Sequence, residues 1–561
     1  EEMASSHTII LFALLQLPFY GVLSRTNATC PGPCQCFSIT TMICSDDQMM
    51  ALPADIPPQV RTLIVVASSV GAVAFREEVH LTKLVLLNNP VNMVSSHAFE
   101  QLTGLEELEI SGSPLMAIES GAFQTLCKLS TLLLNNNKLK ILPPGILDVL
   151  QRLQTLQLRG NGLQYLGTKH LHNLHNLQHL DLSFNQLPSP DEDFLSGLDQ
   201  LKTLDLGLNQ ISSLLKGIFS ATLQLRILSL RGNQVTNLPQ GIFTQLKSLE
   251  ELNLRDNRVS ELSAGVFPGS LKKLVLRGNG LVQLPSTAFG DLRYLTHLDL
   301  SHNRLSTIPA ELLQNLSSLE YFSISANQIS ELHGTSFQGL LNLKTIHLQA
   351  NNLSFLEADL FKDQEEMSRL FLSRNRLQSL PYGFFESFGI ESLVQLHDNP
   401  WHCNCSLLYL REWLEYSSGA VEEVSQILCF SPEPVRGKRL ASLGKDQLVC
   451  TNSSEAKSRD DPTGPMDVEI STSAASKTKH CSLQDINGTL VIKCRLMKCS
   501  NLKWSVLKPP FHLHELGSHS WLTTLPLIQS DFLLCFYRAA AALSCRSKPP
   551  LMIIHQPALF C

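Results

Sequence analysis

The chain has 561 residues, a formal net charge of −6 and a pI near 6.3. This slightly acidic balance argues against a nucleic-acid-binding protein, which normally carries a strongly basic face. A hydrophobic content of 43% with 17% charged residues is typical of a folded chain.

The N-terminal segment predicts export from the cell. An apolar run over residues 9–17 precedes small and turn-forming residues at Gly21 and Ser24, as in a secretory signal and its cleavage region. The run is shorter than the ~20 apolar residues that a bilayer-spanning helix needs. We therefore interpret residues 1–24 as a signal peptide and expect a protein secreted into the extracellular space.

A cysteine-rich segment follows at residues 25–58. Four cysteines allow three disulfide pairings. Zinc binding is the competing use, but the paired C-x2-C spacing of structural zinc sites is absent. The four are Cys30, Cys34, Cys36 and Cys44.

The region from residue 59 to 398 repeats the motif L-x-x-L-x-L-x-x-N-x-L, the pattern of leucine-rich repeats. The period is 24 residues, with one spacing of 22 between Asn257 and Asn279 and with Ser113 replacing one asparagine. Each repeat should supply one short strand and a return segment, and stacked repeats should share one core. We predict an α/β leucine-rich repeat solenoid, or horseshoe. The asparagines are Asn89, Asn137, Asn161, Asn185, Asn209, Asn233, Asn257, Asn279, Asn303, Asn327, Asn351, Asn375 and Asn399.

The repeat positions also predict side-chain directions. In the repeat of Asn161 the leucines should point inward, while the asparagine amide bonds neighbouring backbone so that no buried polar group stays unpaired. We expect the 22-residue spacing to tighten the solenoid without breaking it, and Cys127 to be a buried free thiol. A phenylalanine ten residues after most asparagines should build a stacked spine: Phe99, Phe123, Phe219, Phe243, Phe267, Phe289, Phe337, Phe361 and Phe385.

A second cysteine group at residues 399–450 brackets the repeats. A stack of repeats exposes its core at both ends, so it needs capping modules, and small caps outside the cell depend on disulfides. We predict an N-terminal and a C-terminal disulfide-bonded cap. The second group comprises Cys403, Cys405, Cys429 and Cys450.

The remaining sequence lacks the repeat. Residues 451–480 are polar and are interpreted as a linker. A short alternating stretch over residues 488–494, with Cys481 and Cys499 nearby, predicts a small strand-rich, disulfide-bearing appendix at residues 481–508. Residues 509–561 remain unassigned. Their apolar stretch around Arg538 is too short and too charged for a membrane span, so we expect no membrane anchor.

Sequence signatures of catalysis are weak. The chain has no G-x-S-x-G elbow or P-loop. We interpret the H-x-x-E patterns at His97 and His512 as coincidence, and a cluster of four histidines from His170 to His179 as surface residues. We expect no catalytic residue, cofactor or metal site.

Sequons predict N-glycosylation, as befits a secreted protein. A further sequon, at Asn404, lies between two cap cysteines and is the least accessible. The predicted acceptors are Asn27, Asn315, Asn352, Asn452 and Asn487.

The concave face is the predicted binding surface. Strand residues alternate, so the side chains two, four and six positions before each asparagine should face outward in columns. Three arginines fall in one column, and Glu251 can neutralise only one of them. The hypothesis is an anionic docking site for a protein partner; an ordinary solvated surface is the alternative. The candidates are Arg231, Arg255, Arg277, Lys273, Glu107, Glu109, Tyr321 and Phe371.

Residues 30–506 resemble a known extracellular family. The stretch after Cys44, the segment Asn399-Pro400-Trp401 and the appendix from Cys481 to Cys499 are similar to the regulatory, non-catalytic subunits of plasma carboxypeptidase N. The resemblance implies a glycoprotein that binds and stabilises a zinc carboxypeptidase catalytic subunit, in a hetero-oligomer where the partner holds the zinc. A cell-surface or matrix adhesion protein is the alternative. The caps' resemblance further implies the pairs Cys30–Cys36, Cys34–Cys44, Cys403–Cys429 and Cys405–Cys450.

Overall fold

The computed structural model describes residues 30–75, 79–389 and 392–450, and four strands further along the chain. The chain divides into two units. The first ends at Ser453 and the second begins at Ser454, and they are described separately. The predicted signal peptide and linker lie outside the described residues.

The first unit is a solenoid with a sheet of 18 strands. Its strands pair in parallel, except that β1 and β2 are antiparallel. Two short parallel pairs, β5 with β7 and β20 with β22, complete the described strands of this unit. In chain order the strands are β1 (Cys34–Cys36), β2 (Thr41–Cys44), β3 (Thr62–Val66), β4 (Lys83–Leu87), β5 (Met93–Val94), β6 (Glu107–Ser111), β7 (Ala117–Ile118), β8 (Thr131–Leu133), β9 (Thr155–Gln157), β10 (His179–Asp181), β11 (Thr203–Asp205), β12 (Ile227–Ser229), β13 (Glu251–Asn253), β14 (Lys273–Val275), β15 (His297–Asp299), β16 (Tyr321–Ser323), β17 (Thr345–His347), β18 (Arg369–Phe371), β19 (Leu393–Gln395), β20 (Trp401–His402), β21 (Val421–Glu422) and β22 (Cys429–Ser431).

The leucines of each repeat build the core, as predicted. In the repeat of Asn161 all four motif leucines are fully buried, and Leu156 of β9 pairs in register with Leu180 of β10. The return segments are mostly turns, with one short helix in the repeats, α1 (Thr168–Leu171). Because each repeat buries its leucines only against its neighbours, the core is continuous along the solenoid.

The asparagines form a hydrogen-bonded ladder. Asn161 Nδ2 donates to the carbonyls of Leu134 (2.8 Å) and Leu158 (3.0 Å). Its Oδ1 accepts the N–H of Leu139, 3.2 Å away. One side chain therefore satisfies backbone groups in two consecutive repeats, which confirms the predicted role.

The phenylalanine spine is confirmed for most of its members. Phe219, Phe243, Phe267 and Phe289 stack consecutively, with centroid distances between 5.7 and 6.4 Å. Phe385 differs, because its ring stacks on Trp413 of the C-terminal cap at 4.0 Å, while the adjacent Phe384 contacts Phe361 at 5.6 Å.

The 22-residue spacing leaves the sheet unbroken. Leu252 of β13 pairs with Leu274 of β14 in the same parallel register as the other repeats. Asn279 Oδ1 accepts the N–H of Val259 at 3.0 Å, so the ladder also continues. The shortening is absorbed by the return segment.

Each cap contains two disulfides, and all four are those that the resemblance implies. They are Cys30–Cys36 and Cys34–Cys44 in the N-terminal cap, and Cys403–Cys429 and Cys405–Cys450 in the C-terminal cap. The C-terminal cap carries α2 (Leu408–Tyr416), and its buried leucines cover the last repeat. Its short 3-10 helices span Cys405–Leu407, Ser418–Ala420, Val424–Gln426, Glu433–Val435, Leu440–Ser442 and Lys445–Gln447.

One prediction about the repeats is wrong. Cys127 is a free thiol but is exposed, because Leu126 and Leu129 take the core positions on either side of its turn. Its Sγ lies 3.8 Å from the carbonyl oxygen of Thr125.

The second unit contains a small antiparallel sheet, consistent with a strand-rich appendix. Strands β23 and β24 form a hairpin, and β24 also pairs with β25 and β26. The last two strands come from the region that sequence left unassigned, so the sheet extends beyond residue 508. The strands are β23 (Cys481–Ile486), β24 (Thr489–Arg495), β25 (Thr524–Pro526) and β26 (Leu551–Met552).

Candidate functional site

The parallel sheet presents its outward side chains in columns, as predicted. In β13, Leu252 is buried whereas Glu251 and Asn253 are partly exposed, and the same alternation recurs in β12 and β15. Val85 is an exception, predicted outward but only 5% exposed, because its register partners Ile64 and Glu109 flank it on both sides. The prediction is also wrong for several other outward positions that are buried: Val275, Ser323, Ser183, Ser301, Ser325 and Ser373.

The arginine row, which we define as Arg231, Arg255 and Arg277, occupies adjacent positions on this face. The carbonyl of Arg255 accepts the N–H of Gly232 at 2.7 Å, and the carbonyl of Arg277 accepts the N–H of Asp256 at 2.8 Å. These bonds place the three backbones side by side at the carboxyl ends of consecutive strands.

The three guanidinium groups diverge from one another. Arg231 lies over the ring of Phe184 at 5.6 Å, and Arg277 Nη1 donates to Ser301 Oγ at 3.0 Å. Arg255 Nε pairs with the carboxylate of Asp256 at 2.9 Å. Within the described residues no carboxylate forms an ion pair with Arg231 or Arg277.

Glu251 does not pair with an arginine. Its carboxylate lies 3.6 Å from Lys273 Nζ, its neighbour across the sheet. The expectation that Glu251 neutralises one arginine is therefore wrong, since the strand register brings Lys273 directly beside it.

The local potential shows the effect of these cations. Burial is the main cause that lowers the pKa of His302, and Arg277 and Arg255 lower it further. Asp299 and Asp256 act in the opposite direction and raise this pKa. The two arginines therefore disfavour the protonated form of a histidine beside the arginine row.

A stack of four rings lies C-terminal to the arginine row on the same face. His297 and Tyr321 are parallel at 4.0 Å, Tyr321 and His347 are tilted at 5.2 Å, and His347 and Phe371 are parallel at 4.2 Å. We call these residues the ring stack. All four are partly exposed, so the predicted candidates Tyr321 and Phe371 belong to one continuous aromatic surface.

The ring stack is also electrostatically distinct. Burial, with a contribution from Lys273, lowers the pKa of His297 to about 4. Burial likewise lowers the pKa of His347 and raises that of Tyr321. The stack is therefore uncharged at neutral pH, beside a cationic row. Such a combination of aromatic and arginine side chains is enriched at binding hot spots.

Acidic side chains on this face have structural roles. Asp181, Asp205 and Asp299 each accept the backbone N–H two residues later, at 2.8 to 2.9 Å, and so complete the strand ends. Burial is the main cause that raises the pKa of Asp205, and neighbouring Asp181 adds to it.

The predicted acidic candidates lie apart from the arginine row. Glu107 pairs with Lys83 across neighbouring strands at 2.6 Å, so its charge is already neutralised. Glu109 lies on the next outward position of the same strand. The structure does not bring either residue to the arginines.

Other candidates are scattered. His97 Nδ1 contacts Glu100 at 3.6 Å on an exposed turn, and His512 lies outside the described residues. The surface interpretation is wrong for His170. Its side chain is buried, and its Nε2 lies 3.2 Å from the carbonyl oxygen of Leu142. In the described part of the chain, no three His, Cys, Asp or Glu side chains are grouped to hold a metal ion.

Two glycosylation candidates fall on described backbone. Asn315 is exposed, with Nδ2 3.2 Å from the Gly290 carbonyl, and Asn352 is half-buried. Asn27, Asn452 and Asn487 lie outside the described residues. The oxygen of Asn404 accepts hydrogen bonds from Ser406, which engages it in the cap.

Sequence reasoning missed His297 of the ring stack and Phe184 beside Arg231. His297 follows the column rule and could have been found by it. Phe184 lies one residue before its asparagine, at a position the columns do not include.

Comparison with known proteins assigns the family. A model of the leucine rich repeat matches slightly more than half of the chain. The chain belongs to the leucine-rich repeat family. The matched residues are 79–139, 127–187, 151–211, 223–270, 269–329 and 319–377.

Individual relatives match only in part. Mouse SLIT and NTRK-like protein 6 is 36% identical over 101 residues, which is 18% of this chain and 12% of that protein. Human carboxypeptidase N subunit 2 is 33% identical over 141 residues, 23% of this chain and 25% of that protein. The alignments thus span a quarter or less of these relatives.

Solved structures agree on the fold. A leucine-rich repeat protein of Leptospira interrogans superimposes with a TM-score of 0.51 and 28% identity, covering 57% of this chain and 79% of that chain. Among the described residues, none of the helices has the length and apolarity needed to cross a bilayer.

Proposed function

We propose that this protein is an extracellular, non-catalytic binding protein whose concave face captures a protein partner. The observation that carries the proposal is the arginine row, in which Arg231 and Arg277 form no ion pair within the described residues. Curved repeat proteins use such faces as extended binding surfaces. Guanidiniums that form no ion pair, beside neutral rings, favour a partner with an acidic, partly apolar surface.

We propose a zinc carboxypeptidase catalytic subunit as that partner. The similarity to carboxypeptidase N subunit 2 supports this choice, and the paired caps agree with the family resemblance. The zinc and the chemistry would belong to the partner, and this chain would hold and stabilise it as a secreted, glycosylated subunit of a hetero-oligomer.

A second candidate is recognition or adhesion at a cell surface or in the matrix. It is favoured by the similarity to SLIT and NTRK-like protein 6. The sequence identity over that aligned segment is close to the identity with carboxypeptidase N subunit 2. The two candidates share the concave binding face and differ in the partner.

Capture from plasma distinguishes them. The tagged full chain is immobilised, exposed to plasma of the parent species, washed and eluted, and the eluate is assayed for release of C-terminal Lys and Arg from synthetic peptides. Chelator-sensitive activity in the eluate is expected. An inactive eluate dominated by matrix or cell-surface proteins would contradict the carboxypeptidase partner and favour adhesion.

A further inference from the structure

Phe184 occupies a backbone position that disfavours it. Its φ is +57°, in the left-handed region, where a bulky side chain is an outlier. Asn136 and Gly160 occupy the equivalent position in the two preceding repeats and Leu208 in the next, all with positive φ. The phenylalanine is nevertheless 39% exposed, so core packing does not explain its presence.

Two arginines converge on this ring. The guanidinium carbon of Arg159 lies 4.2 Å from the ring centroid and that of Arg231 lies 5.6 Å from it. Phe184 belongs to a repeat between those that carry the two arginines. The two cations are therefore at most about 10 Å apart, and both lie against the same exposed apolar ring.

Gly207 leaves room for the side chain of Arg231. A Cβ on Gly207 would lie 2.8 Å from Arg231 Cγ and 2.9 Å from an Asp205 oxygen. The glycine φ is not positive, so the backbone itself does not require glycine here. An alanine would displace the arginine, which ties this small residue to the arrangement around Phe184.

The chemistry of the cluster favours one class of ligand. A guanidinium over a ring keeps its N–H groups free to bind a carboxylate. Asp181 and Asp205 lie beside the cations on the same face, and Asp205 interacts electrostatically with Arg231, so repulsion disfavours a dense polyanion more than a ligand with two separated carboxylates. Two cations around an apolar centre fit two carboxylates around an apolar side chain.

We propose that Arg159, Phe184 and Arg231 form an anchor site for an extended peptide segment of the pattern acid–x–apolar–x–acid. In an extended chain the first and fifth residues point to the same side and lie about 13 Å apart at their Cα atoms. The carboxylates reach inward to the guanidiniums and the central apolar side chain contacts the ring. The site rests on the proposed function and names the segment of the partner that the concave face recognises.

The test uses the full-length protein and fluorescein-labelled Gly-Glu-Ser-Leu-Ser-Glu-Gly, with its Gln-for-Glu analogue as the matched peptide. Phe184→Asn removes the ring but suits the backbone, and Ala326→Asn introduces the same residue at an equivalent left-handed position elsewhere. We expect Phe184→Asn to weaken binding at least tenfold without lowering Tm, and Ala326→Asn to leave binding unchanged.

Charge variants complete the test. Arg159→Gln and Arg231→Gln should each weaken the Glu peptide but not the Gln peptide, and Gly207→Ala should resemble Arg231→Gln. Equal affinity for the two peptides, or undiminished binding by Phe184→Asn, would overturn the site. A heparin fragment that binds through Arg159 and Arg231 while the Glu peptide does not would also overturn it. Failure of plasma capture with intact peptide binding would instead refute only the proposed carboxypeptidase partner.

Discussion

Glu251 and Lys273 form an ion pair across neighbouring strands, with carboxylate oxygen and Nζ 3.6 Å apart. The pair uses the one outward carboxylate that could have neutralised the arginine row from within its own strands. Arg231 and Arg277 contact a ring and a hydroxyl group rather than forming an ion pair. Asp205 and Asp299 lie at strand ends on the same face, and Asp205 interacts electrostatically with Arg231, so acids outside the three strands partly balance the arginine row.

The asparagine ladder should be essential for stability. In Asn257→Ala the carbonyls of Leu230 and Leu254 and the N–H of Val235 lose buried partners at 2.9 to 3.1 Å. Leaving such groups unsatisfied should lower the free energy of unfolding by about 3 kcal/mol. Urea denaturation measures the loss. Asn257→Ser, which mimics Ser113 at the equivalent position, serves as a milder control; a loss below about 1 kcal/mol for alanine would refute the role.

The phenylalanine spine should tolerate leucine better than alanine. Phe243 is fully buried between Phe219 and Phe267, so Phe243→Ala leaves a cavity and should cost about 3–5 kcal/mol. Leucine occupies the equivalent position in other repeats, at Leu147 and Leu171, and Phe243→Leu should cost about half as much. Equal losses in chemical denaturation would show that the stack is not a packed column.

His297 should make stability depend on pH. Its folded pKa of about 4 lies below the ordinary value of 6.5, so the unfolded chain binds a proton more readily. The stabilisation is present above pH 6.5 and is lost as the pH falls towards 4. His297→Phe keeps a ring against Tyr321 but cannot titrate. As the pH falls from 6.5 towards 4, the variant should lose less free energy of unfolding than the wild type. Identical profiles of stability against pH would contradict the lowered pKa of His297.

The sequence predicts those features that repeat. The leucine core, the asparagine ladder and the outward columns follow from a 24-residue period, since a buried position in one repeat is buried in the next. Phe385 departs from the spine because it meets the cap residue Trp413, and no internal period describes that contact.

Side-chain partners on the face are less predictable. A column places Arg231, Arg255 and Arg277 side by side, yet each guanidinium turns to a different neighbour, according to what the adjacent repeats offer. Arg231 reaches Phe184 only because Gly207 lacks a side chain. Aligning the repeats shows Phe184 to be the one phenylalanine at a turn position that Gly, Asn, Asp, Ala, Leu, His or Arg occupies in the other described repeats with positive φ.

The most direct measurement compares partner capture by charge-reversed proteins. Arg255→Glu with Arg277→Glu reverses the arginine row, whereas Arg258→Glu with Arg304→Glu makes the same charge change at exposed positions on the return segments. Both proteins are immobilised at equal density, after their melting temperatures have been shown to match the wild type, and exposed to plasma. We predict that the first loses captured carboxypeptidase activity and the second retains it. Equal capture by both would contradict binding through the concave arginines.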